Sequence, residues 1–497
     1  MNIALNESRT NYLREAFHQI KTVQEQTECI VPDVLEDVGQ IVSAQAQLCL
    51  KSKEISEHAA AIGVSAEISV FYITESRGCV RCLNLSRDLE IGFDSPAIEA
   101  DAAACVSICC LGVQARSVNP RKIAAQLSVR AELSCWTEDR FCIPIDTAED
   151  GGKGLQLQMR AEDSVWTERV AEKSFVVSEQ LSLDAEEGPT ALSVVRARLL
   201  SIDRQPLGGK LLLKGSAEIV FGFETQEGST PRFTERSVPF SVLVDMPDED
   251  AIPGDVIFEP TSIYADLGDA INGSRVVELE LHAVAQLRFD RRETIRCLSD
   301  AYSTLCPISA EMSEAVICRS RSKETLSLRT TDRFPLEPER GVVISVFSDI
   351  LSFSVRDGKA ALSASVSLLL CSEEGTYSAV QRLLSFEEEL PQPEGEIISA
   401  RITAIRAERA GEEIAVTAAA VIEFARCETT TLRYLSAIEL EPERAYDLSA
   451  LPSLTIARRG ERDFWELAKL YHSSPDAIER MAQAHPMEGD LLLIPRA

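Results

Sequence analysis

The stretch Ile123-Ala-Ala-Gln-Leu-Ser-Val-Arg-Ala-Glu-Leu133 has an apolar residue at every second position over eleven residues. Successive side chains of a β-strand point to opposite faces, so this pattern predicts a strand with one buried face and one wetter face. The same alternation returns in residues 277–287 and 414–424. Three copies of one β domain are the natural interpretation.

A short signature upstream of each stretch supports this repetition. Ser65-Ala66-Glu67-Ile68 returns letter for letter as residues 216–219, and loosely as Ser-Ala-Ser-Val at residues 363–366. We therefore expect a mainly β fold with three repeated antiparallel β-sandwich-like domains. Each copy has ~110–150 residues, which suits an independent sandwich better than a solenoid unit, so we expect separate beads. Repetition favours a binding or assembly protein over an enzyme.

The domain boundaries follow from changes in pattern. Residues 1–30 are expected to form an N-terminal helical segment, because Leu13, Phe17 and Ile20 share one helix face. The β repeats are expected at 31–150, 151–308 and 309–445, with an acidic, Gly-rich linker from Asp146 to Gly154 after the first. Residues 446–497 differ in rhythm and form a separate tail.

Composition excludes several classes of partner. The 497-residue chain has a formal net charge of -29, which argues against nucleic acid, since phosphate binding needs clustered Lys and Arg. No stretch is long and apolar enough for transmembrane insertion, and residues 1–19 lack the apolar core of a secretory signal. We therefore expect a cytoplasmic protein whose 14 cysteines are reduced thiols.

Motifs that would carry chemistry are sparse. The five histidines form no zinc-binding helix motif, and Gly208-Gly209-Lys210 reads as a hairpin turn. Cys79 and Cys82 have the spacing of half a zinc site, which Cys105, Cys109 and Cys110 could complete. The favoured alternative places one cysteine of each pair in the core and the other on the surface, because residues three apart on a strand face opposite sides. We expect no cofactor and no enzymatic activity.

The tail has the pattern strand, helix, helix, strand. Residues 454–457 form the first strand, and Asp463 is placed to cap a helix that contains Phe464, Leu467, Ala468 and Tyr471. Ser474-Pro475 combines a good N-cap with proline at the first helical position. Residues 489–495 close the unit as a second strand.

This βααβ tail resembles a LysM domain. The resemblance covers the opening strand, Trp465 with Leu467-Ala468-Lys469 and Tyr471, the helix around Ile478, and residues 489–495. It implies binding of N-acetylglucosamine polymers such as peptidoglycan through the loops before the first helix and after the second. In this chain Glu461-Arg462-Asp463 replaces the usual Gly-Asp-Thr, and Ala482-Gln483 replaces the usual paired Asn, so the scaffold could equally dock a protein. The implied binding residues are Arg462, Asp463, Phe464, Trp465, Ala482 and Gln483.

Two roles are open for Trp465. Its ring could pack in the small core of the tail, or it could lie partly exposed in a binding groove, since aromatic residues often anchor interfaces.

Repeated β domains ahead of a LysM-like module resemble the SPOCS-domain proteins of the SipL spore coat and envelope morphogenesis family. The resemblance implies a non-enzymatic scaffold on the mother-cell side of the forespore surface, with the tail docking on a SpoIVA-like coat morphogenetic protein. Oligomers are compatible with this role. Two alternatives stay open, namely a peptidoglycan-binding protein and a phage tail or baseplate component.

Overall fold

The computed structural model describes residues 2–76, 78–147, 154–183, 189–225, 231–268, 275–335, 341–356, 358–390, 396–447, 449 and 452–496. The expectation of a mainly β fold is confirmed, since long antiparallel strands fill most of these ranges. The expected boundary at residue 150, and most of the expected linker around it, lie outside the described residues.

The first part of the chain, here called unit 1, has six antiparallel strands. They form two three-stranded sheets with the orders β1-β6-β5 and β2-β3-β4. The strands are β1 (Leu5–Ile30), β2 (Val38–Ser56), β3 (Ala59–Thr74), β4 (Val80–Asp94), β5 (Ala103–Asn119) and β6 (Lys122–Thr147).

The same order of strands occurs twice more. Unit 2 has the sheets β7-β12-β11 and β8-β9-β10, and unit 3 has the sheets β13-β18-β17 and β14-β15-β16. The strands of unit 2 are β7 (Leu155–Leu183), β8 (Pro189–Leu207), β9 (Lys210–Thr225), β10 (Arg232–Asp245), β11 (Ile252–Leu267) and β12 (Arg275–Ser303). Those of unit 3 are β13 (Ile308–Pro335), β14 (Val342–Arg356), β15 (Lys359–Cys371), β16 (Tyr377–Glu389), β17 (Glu396–Ala410) and β18 (Glu413–Leu440).

The alternating stretches are the central strands of the first sheet in each unit. Ile123, Leu127 and Leu133 on β6 are buried, and so are the matching apolar residues on β12 and β18. The shorter signature lies on β3, β9 and β15, the central strands of the second sheet. In each unit, apolar side chains from both sheets meet in one buried cluster. The repeated sequence pattern therefore marks the strands that carry most of each core.

The expected helix in residues 1–30 is wrong, because this segment is strand β1, which pairs with β6 along its whole length. The pairing register shifts between Glu15 and Phe17, where β1 carries a bulge. A bulge inserts one extra residue and so reverses which alternate positions face inward. Apolar residues on either side of the bulge then have the spacing of a helix. The segment is the first strand of unit 1, not a separate element.

The expectation of separate beads is also wrong. In each unit, the first and last strands continue beyond the third strand of their sheet as a two-stranded ribbon. The three ribbons pack together and are called here the ribbon bundle. Its buried side chains come from all three units and include Ile143, Trp166, Ile295, Cys297, Ile317 and Leu432.

A second junction joins the β2-β3-β4, β8-β9-β10 and β14-β15-β16 sheets. Phe71, Phe233 and Phe347, one from each unit, meet with ring centroids 5.2–5.3 Å apart. Phe71 and Phe347 stack, and Phe233 meets both rings edge-on. Aromatic pairs in such arrangements add about 0.5–1.5 kcal/mol beyond the burial of their area. The three units therefore form one packed body.

Gly112 allows unit 1 to approach unit 3 closely. It lies at a bulge of β5 with φ of 84°, and a Cβ there would come within 2.9 Å of Leu351 Cδ2 on β14. We expect Gly112→Ala to lower the free energy of unfolding by about 1–3 kcal/mol, because an L-residue is strained at this φ and the added methyl crowds unit 3. Urea unfolding monitored by fluorescence measures the change.

The matched control for Gly112 is Gly92→Ala on β4, where an added Cβ would meet nothing within 4 Å. We expect that change to alter stability by less than about 0.5 kcal/mol. Equal effects of the two substitutions would contradict this account of the contact between units 1 and 3.

The tail consists of β19 (Leu454–Arg458), α1 (Phe464–Leu470), α2 (Pro475–Ala484) and β20 (Leu491–Pro495), with β19 antiparallel to β20. Both predicted N-caps are confirmed, since Asp463 and Ser474 accept hydrogen bonds from the backbone amides of Glu466 and Ala477. Neither α-helix of the described residues has the length and apolar character needed to cross a membrane.

Candidate functional site

The tail is fixed to the body at the end of β12. Trp465 on α1 donates from Nε1 to Asp300 Oδ2 at 2.8 Å, and Lys469 Nζ lies 2.7 Å from the same oxygen. Burial alone would raise the pKa of Asp300, but the hydrogen bonds from Lys469 and Trp465 outweigh it and hold that pKa below its ordinary value. Asp300 is therefore an ionised acceptor that receives two donors from one face of α1.

Tyr302, two residues further along β12, completes the core of the tail. Its ring is 5 % exposed and packs in one cluster with the buried tail residues Ala457, Leu467, Ala468, Ile478 and Ile494. The ring also meets Trp465 edge-on, with centroids 4.9 Å apart. Its hydroxyl donates to the carbonyl oxygen of Ser473 at 2.7 Å, and burial raises the pKa of the phenol, so it remains a donor. The body thus supplies one of the side chains that the small tail needs.

A second contact with the body involves Tyr446 and lies beside Ser473, in the turn between α1 and α2. The backbone amide of Tyr446 donates to Leu305 O at 2.8 Å, just after the end of β12. The ring of Tyr446 lies 4.2 Å, centroid to centroid, from the ring of His472 in the turn between α1 and α2. The tail is therefore held through α1 and through the turn between α1 and α2.

Neither reading of Trp465 matches its position fully. The indole is half-buried between the tail and β12, so it is an anchor, but its partners belong to the same chain. Sequence reasoning missed Asp300 and Tyr302 because they lie more than 160 positions away from Trp465. The available signal was the indole N–H of Trp465, since a buried indole N–H requires a hydrogen-bond acceptor.

The other residues implied by the LysM resemblance lie around the two loops of the tail. Arg462 and Asp463 are exposed at the start of α1, and the guanidinium of Arg459 lies 4.9 Å from the centre of the Phe464 ring. Ala482 and Gln483 lie on the last turn of α2, where Gln483 Nε2 is 3.5 Å from Glu479 Oε1.

The two loops meet at one end of the tail, because Arg459 N donates to Asp490 O at 2.7 Å. This end, defined by residues 458–463 and 485–490, is called here the loop end. Three of the six basic residues in 446–497, Arg458, Arg459 and Arg462, lie in it and are exposed. The loop end also contains four exposed acidic residues, Glu461, Asp463, Glu488 and Asp490, so it presents charges of both signs and carries no net positive charge.

The cysteines considered for zinc lie in different surroundings. Cys82 Sγ is 3.5 Å from Asn84 Oδ1, and Cys105 is buried on β5. Burial raises the pKa of both thiols to about 12, which favours the protonated form over a metal-binding thiolate. Across the described ranges, no group of three or more His, Cys, Asp or Glu side chains has the arrangement of a metal site.

A cavity of about 700 Å³ lies between units 1 and 3. Its lining is rich in hydroxyl and amide groups, including Ser43, Ser367, Gln126 and Gln381. Asp349 also lines it, and burial raises the pKa of this carboxyl to about 6 although the nearby charge of Arg196 opposes the change. This interface is less completely filled by side chains than the apolar junction around Phe71.

Comparison of the chain with protein-family models, with curated proteins and with solved structures found no match.

Proposed function

We propose that the chain is a non-enzymatic scaffold in spore coat or spore envelope assembly, and that it docks a coat morphogenetic protein through its tail. In this proposal the three units are SPOCS-like sandwich domains, the tail is a LysM-like module, and the protein works in the mother-cell cytoplasm. The observation that carries the proposal is the orientation of the tail. Trp465 and Lys469 are held by Asp300, while the loop end with its three arginines faces outward.

A fixed tail on a packed body favours a scaffold. Binding a partner costs less entropy when the binding surface is already held in place. The contacts of Tyr302 and Tyr446 hold the loop end in one orientation relative to the three units. The body and the tail can therefore present two partners at a defined separation.

Two features favour a protein partner over a glycan. Trp465, the tail's only tryptophan, is occupied by Asp300 and Tyr302 and is not free to stack on a sugar ring. The loop end instead offers exposed guanidinium and carboxylate groups, which can form ion pairs with charged side chains of a protein partner. Peptidoglycan binding is kept as an outcome of the test.

The test compares binding of the full-length chain to a purified coat morphogenetic protein and to insoluble peptidoglycan. We expect retention on the protein and not on the glycan. Arg462→Glu should weaken retention about tenfold, because reversal of a charge at an interface costs on the order of 1–2 kcal/mol.

Arg480→Glu is the matched control, since it makes the same charge change at an exposed position on α2. We expect it to leave retention unchanged. Retention on peptidoglycan that is lost with Arg462→Glu would replace the proposal with glycan binding. Binding to neither material would contradict the proposed function.

A further inference from the structure

Two cysteines of unit 3 face each other across adjacent strands. Cys318 lies on β13 and Cys427 on β18, and their sulfur atoms are 3.0 Å apart. Cys427 is paired in register with Arg321, and a bulge between Cys318 and Ser320 brings Cys318 toward it. A disulfide has sulfur atoms about 2.05 Å apart, so a shift of roughly 1 Å would bring the two into bonding distance.

The surroundings favour a thiolate on Cys427. Its hydrogen bond with Cys318 and the positive charges of Arg321 and Arg288 lower the pKa of Cys427, although partial burial opposes them. The same hydrogen bond, together with burial, raises the pKa of Cys318. One sulfur of the pair is therefore a nucleophile and the other retains its proton, which is the division of roles in a reactive dithiol.

Solvent exposure and position at a contact between units also distinguish this pair from the other cysteines. Cys427 is exposed to solvent, whereas Cys105, Cys135 and Cys297 are buried. Arg321 beside the pair donates from Nη1 to Asp290 Oδ1 at 2.7 Å and to Thr167 Oγ1 at 3.0 Å, both on strands of unit 2. The dithiol therefore adjoins a polar contact that joins units 2 and 3.

We propose that Cys427 and Cys318 form a peroxide-reactive dithiol that closes to a reversible disulfide. The Cys427 thiolate attacks a peroxide oxygen, an S–O bond forms as the O–O bond breaks, and the departing oxygen takes a proton to leave as water or an alcohol. Cys318 then attacks the sulfur of the Cys427 sulfenic acid. The S–S bond forms, and the hydroxyl group leaves as water with the Cys318 proton. The two thiols lose two electrons and the peroxide gains them.

The crosslink would join β13 to β18 beside Arg321. These are the first and last strands of unit 3, so the bond closes a long loop and restrains the unfolded chain. Oxidation also removes the thiolate beside Arg321, while Asp290 and Thr167 remain as partners of the guanidinium. The disulfide would stabilise unit 3 under oxidising conditions and leave the contact between units 2 and 3 in place.

The test treats the full-length reduced protein with one equivalent of hydrogen peroxide and maps its peptides by mass spectrometry. We expect a linked peptide pair containing Cys318 and Cys427 that thiol reductant separates. In Cys318→Ser, dimedone should label Cys427 as a trapped sulfenic acid. The control Cys79→Ser/Cys82→Ser should form the same linked pair.

A second measurement does not depend on crosslinking. We expect alkylation of Cys427 by iodoacetamide to reach its maximum rate at a lower pH than alkylation of Cys142, the other exposed thiol. Absence of the linked peptide, or oxidation of Cys142 as fast as Cys427, would overturn the proposal.

Discussion

Replacement of Tyr302 by alanine is expected to release the tail from the body. The substitution removes a ring that is 5 % exposed and packs with Trp465 and the tail core, and it leaves the carbonyl of Ser473 without its donor. Truncation of a buried aromatic side chain costs about 3–5 kcal/mol. Native-state hydrogen exchange measures the result, and amides in residues 454–495 should exchange at least about 100-fold faster while those of unit 1 keep their rates.

Two variants control this prediction. Tyr302→Phe keeps the ring and loses only the hydroxyl donor, so we expect a cost of about 0.5–1.5 kcal/mol and a tail that stays docked. Tyr264→Ala removes a tyrosine that is 63 % exposed on β11, and it should leave exchange in the tail unchanged. Unchanged tail exchange in Tyr302→Ala would show that β12 does not hold the tail.

Local pattern was sufficient for the features that one strand or one turn determines. The alternation in residues 123–133 predicts β6 because burial on one face is a property of the strand itself. Asp463 was predicted as an N-cap for the same reason, since its acceptor role involves a backbone amide three residues away. The alternating central strands and the two N-caps of the tail therefore follow from short segments, whereas β1 does not.

Contacts between distant segments could not be predicted in this way. The bulge in β1 changes the phase of its pattern, and only pairing with β6 reveals it as a strand. The packing of the units against one another did leave a signal in the sequence of β3, but the alternating pattern earlier in the strand drew attention away from it. Residues 68–74 of β3 are buried without interruption, and their run Val-Phe-Tyr-Ile at 70–73 is typical of a strand covered on both faces. The covering side chains come from units 2 and 3, so the sequence pattern alone does not identify them.

The interface between units 1 and 2 contains a carboxyl group that makes stability depend on pH. Glu259 on β11 is 6 % exposed, and its Oε1 accepts from the backbone amide of Ile108 on β5 at 3.1 Å. Burial raises the pKa of this side chain to about 8, from an ordinary value of 4.5. The folded protein therefore holds a proton on Glu259 between about pH 4.5 and 8 that the unfolded chain has released.

The sign of the effect follows from this difference in bound protons. Stability associated with Glu259 is fully present below about pH 4.5, falls as the pH rises, and is lost above about pH 8. One pKa unit corresponds to about 1.4 kcal/mol, so the loss between these limits is on the order of 3–5 kcal/mol. At high pH the carboxylate either remains buried at this cost or separates β5 from β11.

Glu259→Gln is expected to remove this dependence, because the amide oxygen can still accept from Ile108 and cannot ionise. The variant should match the original protein near pH 5 and exceed its free energy of unfolding by about 3–5 kcal/mol at pH 9. Urea unfolding at several pH values between 5 and 9 measures the difference. Glu278→Gln makes the same charge change at an exposed position on β12, and it should give a small difference that does not vary with pH. A constant difference for Glu259→Gln across this range would mean that Glu259 is ionised in the folded protein, with β5 and β11 already accommodating its charge.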